Sequence, residues 1–207
     1  LILAIPRKLR EGHEEMQSGN WKGWSPSAMI GMRITGKKLG ILGMGRIGQA
    51  IAKRAIAFDL NINYHNRRRL HKNIEKSLSA TYWENLEEML AAVDILVVSA
   101  SLNPSSLYLL NAKYLGKMKQ SAYIVNISRG EIIDQKALVK QLKNGLLGGA
   151  GLDVYDSEEV IGSDFKSMKN VLSSVDETRR PSATNADSWG GIHVIMFGDE
   201  KQLPPAS

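Results

Sequence analysis

Gly43, Gly45 and Gly48, in the stretch GILGMGRIGQAIAKRA, spell G-x-G-x-x-G between a short apolar run and an amphipathic one. A strand leading through such a loop into a helix is built to hold a diphosphate. The first glycine allows a tight turn, the second leaves room for the phosphates, and the third lets helix and strand pack closely. The helix start at Arg46 and Ile47 then offers main-chain N–H groups and the positive end of the helix dipole to an anion. A purely structural glycine turn is the alternative reading.

About twenty residues further on, a dinucleotide fold that binds NAD places an acid against the ribose 2′-hydroxyl. Here the sequence reads YHNRRRL, so Asn66, Arg67, Arg68 and Arg69 stand where the acid would be. A carboxylate repels a 2′-phosphate, whereas a guanidinium pairs with it bidentately. The expected cofactor is NADP(H), with NAD(H) possible if the run is only a solvated basic loop. A second glycine pattern, GMRITGKK at 31–38, falls one residue short of a nucleoside triphosphate loop. Its last position is Lys38 instead of a hydroxyl residue, and no strand precedes it.

The elements that must position these groups alternate along the chain. Residues 1–17 place Ile2, Ile5, Leu9 and Met16 near one face of a helix broken early by Pro6, and 18–36 read as an exposed loop. Strands are expected at 38–43, 61–65, 80–83, 94–100, 121–128 and 148–155. Helices are expected at 46–58, with Ile47, Ala50, Ile51 and Ala55 inward, and at 84–93, 111–118 (capped by Asn111) and 135–145. Strands separated by helices of this length form parallel βαβ units, and the fold class is α/β, a Rossmann-type doubly wound parallel sheet. The 207 residues are 43% hydrophobic and 23% charged, which suits a globular chain, and no apolar run is long enough to span a bilayer as a helix. The absence of cysteine excludes disulfides and thiolate metal sites and fits a cytoplasmic, reducing setting. No metal site is expected. The net charge of +6 suits anionic partners such as a phosphorylated cofactor. Nucleic acid is not expected as a partner, because no helix-turn-helix or aromatic reading element accompanies the charge.

GILGMGRIGQAIAKRA, NISRGEIIDQKALVKQL and GGAGLDVY together resemble the D-isomer-specific 2-hydroxyacid dehydrogenases. YHNRRRLH and ATYWENLEEML look most like the glyoxylate and hydroxypyruvate reductase branch of that family. The resemblance runs from residue 1 to about 172 and covers the coenzyme domain; the N-terminal part of the substrate domain would precede Leu1. It implies hydride transfer between a nicotinamide and a small 2-oxo acid. Arg129 matches the arginine that binds the substrate carboxylate and polarises its keto group. Glu158 matches the glutamate that orients the catalytic histidine, although Glu159 follows it where the family has proline. Asp153 matches the residue that holds the nicotinamide carboxamide. Ala100 and Ser101 match the loop flanking the nicotinamide, and Asn126, Ile127 and Ser128 match residues lining the same cleft. Relatives dimerise through the first helix and the 18–36 loop, which makes Trp21, Trp24 and Met32 candidate interface residues and a homodimer the expected state.

The family's catalytic histidine follows an NVLL-type strand in a Pro-His pair, and here Val175 and Asp176 occupy those positions. An aspartate is already ionised at neutral pH and donates protons poorly. His13, His65 and His71 read as surface or packing residues, and His193 lies in the tail. Cofactor binding with little or no turnover is therefore expected, the alternative being a non-catalytic nucleotide-binding or dimerisation module. The domain reading is a dinucleotide-binding domain over 1–175 and a foreign-looking tail over 176–207. Within that tail, GGIHVIMFGDEKQLPP resembles a short segment of superfamily-one DNA helicases. The rest of a helicase is missing, so a loosely docked or disordered fusion remnant is expected.

Overall fold

The computed structural model describes residues 1–23, 25–156, 165 and 167–174. Its strands are β1 (Lys38–Leu42), β2 (Asn61–His65), β3 (Thr81–Tyr82), β4 (Ile95–Val98), β5 (Tyr123–Asn126), β6 (Gly149–Leu152) and β7 (Val171–Ser173). They form one sheet in the order β3-β2-β1-β4-β5-β6-β7, and every neighbouring pair is parallel. This is the doubly wound dinucleotide order, with the direction of winding reversing between β1 and β4 and a seventh strand on one edge.

The central strands are apolar on both faces because helices cover both. In β4, Ile95 and Val97 face one cluster while Leu96 and Val98 face the other, all four wholly buried. The first cluster is closed by Ala52 and Ala55 of α2 (Arg46–Ile56) and by Ile74 of α3 (Lys72–Ser77). The second is closed by Met89 and Leu90 of α4 (Leu86–Ala92), Leu115 of α5 (Ala112–Leu115) and Leu138 and Leu142 of α6 (Gln135–Lys143). Side-chain caps start four of these helices, the His71 ring accepting from Asn73 N at the start of α3. The carboxamide oxygens of Asn85 and Asn111 accept from main-chain N–H groups of α4 and α5, and the Asp134 carboxylate does so for α6.

Three expectations are corrected. The first helix does not run from residue 1. Tight turns occupy the first residues, Lys8 takes a left-handed φ of 56°, and α1 spans only Leu9–Gln17. The Pro6 carbonyl accepts from Met32 N at 2.7 Å instead of serving a helix. Nothing on α1 is buried, so Leu9 and Met16 point to solvent while Ile5 packs in the core. On α2 the buried face is Gly48, Ala52 and Ala55, and Ile47 is exposed. Within the first turn it is Gly48, not Ile47, that faces the sheet, against Gly43 O and Ile41. The described residues of segment 18–36 hold no helix or strand and are largely exposed, as expected for a loop, with Met32 half-buried. Trp24, Glu158, Val175, Asp176 and the 176–207 tail lie outside the described residues.

Leu96→Ala would empty a wholly buried site on the central strand. Chemical denaturation is expected to show a loss of roughly 2–5 kcal/mol.

Candidate functional site

Parallel pairing brings the carboxyl ends of all the strands to one edge, where open α/β sheets bind ligands. The last paired row reads His65, Leu42, Val98, Asn126, Leu152 and Ser173 across β2, β1, β4, β5, β6 and β7. The residues that follow these are Asn66, Gly43, Ser99, Ile127, Asp153 and Ser174. At about 4.8 Å per strand, Asp153 lies roughly 14 Å across the edge from Gly43.

Gly43 has φ 98°, a conformation that suits glycine, and a Cβ built there would meet the Ala100 N and Cα at 2.5 Å. Main-chain and side-chain bonds hold this approach. Gly43 N donates to His65 O at 3.1 Å, and the Ser99 hydroxyl donates to Gly43 O at 2.8 Å. Gly48 packs where a Cβ would lie 2.5 Å from Gly43 O, so α2 starts directly against the turn. Gly45 differs, since a Cβ there meets no protein atom within 4 Å. Nothing within the chain requires a glycine at 45; the open space beside it does suit a bulky anion. No side chain caps α2 and its first turn carries no acid, so the N–H groups at Arg46, Ile47 and Gly48 keep their positive end uncompensated. The exposed Arg46 adds a guanidinium to the same turn. These features fit a diphosphate.

The corner after β2 is more constrained than its sequence suggests. The Asn66 carboxamide oxygen accepts from Met44 N at 2.6 Å, which ties the end of β2 to the glycine loop. Its main-chain oxygen accepts from the Tyr82 hydroxyl at 3.4 Å. Arg69 is committed to the protein. Its Nε and Nη2 donate to the two carboxylate oxygens of Glu75 at 2.8 and 2.9 Å, and its guanidinium lies 5.3 Å from the Tyr82 ring centre. The Tyr64 hydroxyl donates to Glu75 at 2.7 Å and accepts from Leu70 N at 3.0 Å. Arg67 and Arg68 are exposed and make no ion pair or side-chain hydrogen bond among the described residues. Arg67 also lines an open cleft of about 830 Å³ with His65, Tyr82, Trp83, Leu109 and Tyr114, beside the β2 exit.

Across the reversal point, Asn126 is buried and organises the turn after β5. Its Oδ1 accepts from Ser128 N at 3.1 Å and its Nδ2 donates to Arg129 O at 2.9 Å. The Ser128 hydroxyl donates to Ala100 O, joining the β5 and β4 exits. Ile127 is half-buried behind it, and Ser101 is exposed on the loop after β4. Arg129 stands exposed, with Nη1 donating to Ser128 O at 2.8 Å. Asp153 N donates to Asn126 O at 3.0 Å, and the Asp153 carboxylate accepts from the Ser174 hydroxyl. The edge therefore gathers Ala100, Ser128, Arg129 and Asp153 at one end and the glycine loop with Asn66, Arg67 and Arg68 at the other.

Several supporting residues escape sequence reading. A Cβ on Gly130 would lie 1.9 Å from the Tyr155 carbonyl carbon, so only glycine lets the segment after β6 cross the Arg129 turn. The Tyr108 hydroxyl reaches the Asp156 carboxylate at 3.1 Å and ties the loop after β4 to that segment. The NISRG glycine was visible in the sequence; the partners of Ser99, Tyr108 and Ser174 are set by tertiary contact alone. Among the described residues no group of three or more His, Cys, Asp or Glu side chains is placed to hold a metal ion. Likewise, no described helix is long and apolar enough to cross a membrane.

The hydrogen bonds of Arg69, and then that of Tyr64, bring the Glu75 carboxyl from 4.5 down to about 2. Burial, reinforced by Glu75, pushes the Tyr64 phenol up to about 12. A depressed carboxylate contributes stability that is present above its ordinary range and is lost as pH falls through the folded value. Between about pH 5 and about pH 2 the wild-type chain is expected to lose more unfolding free energy than Glu75→Gln, measured by denaturant titration at each pH.

Comparison with known proteins converges on one family. The profile of the D-isomer specific 2-hydroxyacid dehydrogenase, NAD binding domain, matches residues 1–175. A glyoxylate reductase of Pyrococcus furiosus is 41% identical over 176 residues, which cover 83% of this chain and 52% of that protein. The crystal structure of a glyoxylate reductase from Paecilomyes thermophila matches with a TM-score of 0.74 at 36% identity, over 83% of this chain and 50% of that one. The NAD-complexed form of a D-isomer specific 2-hydroxyacid dehydrogenase from Lactobacillus delbrueckii ssp. bulgaricus matches with a TM-score of 0.72 at 29% identity, over 83% and 55%. The chain spans about half the length of these relatives, and residues 176–207 lie beyond the matched family domain. With its glycine loop, strand order and reversal-point cleft in place, the chain belongs to the D-isomer specific 2-hydroxyacid dehydrogenase family and carries that family's NAD-binding domain.

Proposed function

We propose that this chain is the NADP(H)-binding domain of a glyoxylate- or hydroxypyruvate-reducing 2-hydroxyacid dehydrogenase, with NAD(H) as the weaker cofactor. The observation that carries the reading is the glycine loop, turned tightly against Ala100 with an uncapped helix start beside it and, at the neighbouring strand exit, two exposed arginines that pair with no described residue. The diphosphate would rest on the N–H groups of the first turn of α2, near Gly43, Gly45, Arg46, Ile47 and Gly48. Arg67 and Arg68 would take the 2′-phosphate, with the adenosine end toward the His65–Tyr114 cleft. Asn66 would contribute only its amide nitrogen, because its oxygen is committed to Met44.

When bound, the nicotinamide supplies a hydride to a 2-oxo acid. The residues of this chain bind and orient. Asp153 would hold the carboxamide, and Ala100, Ser101, Ile127 and Ser128 would wall the ring. Arg129, exposed on a turn stiffened by Asn126, would grip the substrate carboxylate and polarise the keto oxygen. Glu158 would orient a proton donor. In the position expected for that donor stands Asp176 instead of a histidine. Turnover by this chain alone is therefore expected to be weak or absent.

We also infer a homodimer. Leu9, Met16, Trp21 and Ile30 are each more than half exposed on α1 and the following loop, an apolar surface suited to a second copy. The setting that suits such a protein is the cytoplasm.

Fluorescence titration is expected to show NADPH binding about tenfold tighter than NADH, with Arg67→Ala removing most of the difference. Absence of NADPH binding would defeat the reading, and rapid glyoxylate-dependent NADPH oxidation would defeat the expectation of weak turnover. Sedimentation is expected to give a dimer that Trp21→Glu converts to monomer, leaving NADPH binding intact.

A further inference from the structure

The run Asn66-Arg67-Arg68-Arg69 places three like charges in sequence at the exit of β2. Left to itself, such a run would splay, and any nearby carboxylate would draw its guanidiniums away from an incoming phosphate. The structure deals with both ends. At the front, Asn66 is held by Met44 N through its side chain and by Tyr82 through its main chain. At the back, Arg69 is held by both oxygens of Glu75 and lies over Tyr82, and Leu70 N is fixed on the Tyr64 hydroxyl. Tyr64 and Tyr82 pack with ring centres 5.3 Å apart, so front and back are parts of one cage.

Two residues remain between the pins, and they are the two exposed arginines that pair with no described residue. Glu75 is the acid closest in sequence to the run, and it is buried with its carboxylate saturated by Arg69 and Tyr64. Its negative charge is therefore neutralised inside the protein and is not presented to a ligand at the corner.

We propose that the Tyr64–Glu75–Arg69 cluster is a specificity-determining device for the 2′-phosphate. Glu75 is a positioning residue: through Arg69 it fixes the two-residue span on which Arg67 and Arg68 stand, and its own carboxylate, saturated by Arg69 and Tyr64, does not compete for them. The proposal rests on the reading that the glycine loop binds a nicotinamide dinucleotide and that Arg67 and Arg68 meet the third phosphate. It adds that the residue which breaks cofactor preference need not touch the cofactor.

The test uses the full chain and titrates NADPH and NADH against wild type, Arg67→Ala/Arg68→Ala, Glu75→Gln and Arg69→Met, with far-ultraviolet circular dichroism as a folding check. Glu75→Gln is expected to weaken NADPH about tenfold and NADH less than twofold. Arg69→Met is expected to do at least as much to NADPH, because it releases the Glu75 charge beside the phosphate. The Arg69 side chain is more than half exposed, so this variant keeps the test alive if Glu75→Gln fails to fold. Should the clamp variants move NADPH and NADH equally, or neither, while the double arginine variant abolishes the preference, the clamp proposal is overturned and the arginine reading stands. If wild type shows no preference, or the double variant leaves it unchanged, the arginine reading fails and takes the clamp with it.

Discussion

The exits of β1 and β4 run so close together that residue 43 has no room for a side chain. The Ala100 main chain would meet a Cβ there at 2.5 Å, and φ at Gly43 is 98° besides. Two separate penalties, contact and backbone strain, act on the same position. The rest of the edge depends on that approach. With Gly43 seated against Ala100, its carbonyl meets the Ser99 hydroxyl, its N–H meets His65 O, and Gly48 lets α2 begin directly against the turn. The same approach sets Ala100 where the Ser128 hydroxyl can bind it, so the glycine-loop end and the Arg129 end of the edge share one anchored peptide.

Around this point, parallel pairing does the arranging. One register row from His65 to Ser173 ensures that the residues after each strand emerge side by side. Residues from five exits, 66, 43, 100, 129 and 153, lie on one edge although they span 110 positions of chain. Each exit is stapled to a neighbour by a polar contact: Asn66 to Met44, Ser128 to Ala100, Asp153 to Asn126 and to Ser174. A buried polar group such as Asn126 is tolerated because its amide oxygen and nitrogen both have partners in the Arg129 turn.

Local constraints were the legible ones. The glycine triad, the apolar strands and the Asn111 cap follow from what a turn, a doubly covered sheet and a helix start demand of single residues, and the structure contains all three. Misreadings arose where a short-range pattern met a long-range contact. Leu9 and Met16 share a helical spacing with Ile5, but the Pro6 carbonyl bonds Met32 and the helix starts later, facing water. Ile47 was read as inward on α2 and is exposed, because in that turn the position packed against the sheet is Gly48. Gly130 carried no turn signature of its own; its constraint comes from the Tyr155–Asp156 peptide crossing it.

By itself the sequence determined the class of fold, the place of the glycine loop and the basic character of the corner after β2, because those depend on residue size, backbone freedom and charge within one stretch of chain. Which arginines of that corner remain available was decided only by the tertiary structure. Arg67, Arg68 and Arg69 are chemically equal in the sequence. They become different when β3 brings Tyr82 beside β2 and α3 brings Glu75 within 2.8 Å of Arg69. A guanidinium pairs with whatever carboxylate the fold carries to it, and the distance between them is set by packing that no short window of residues contains.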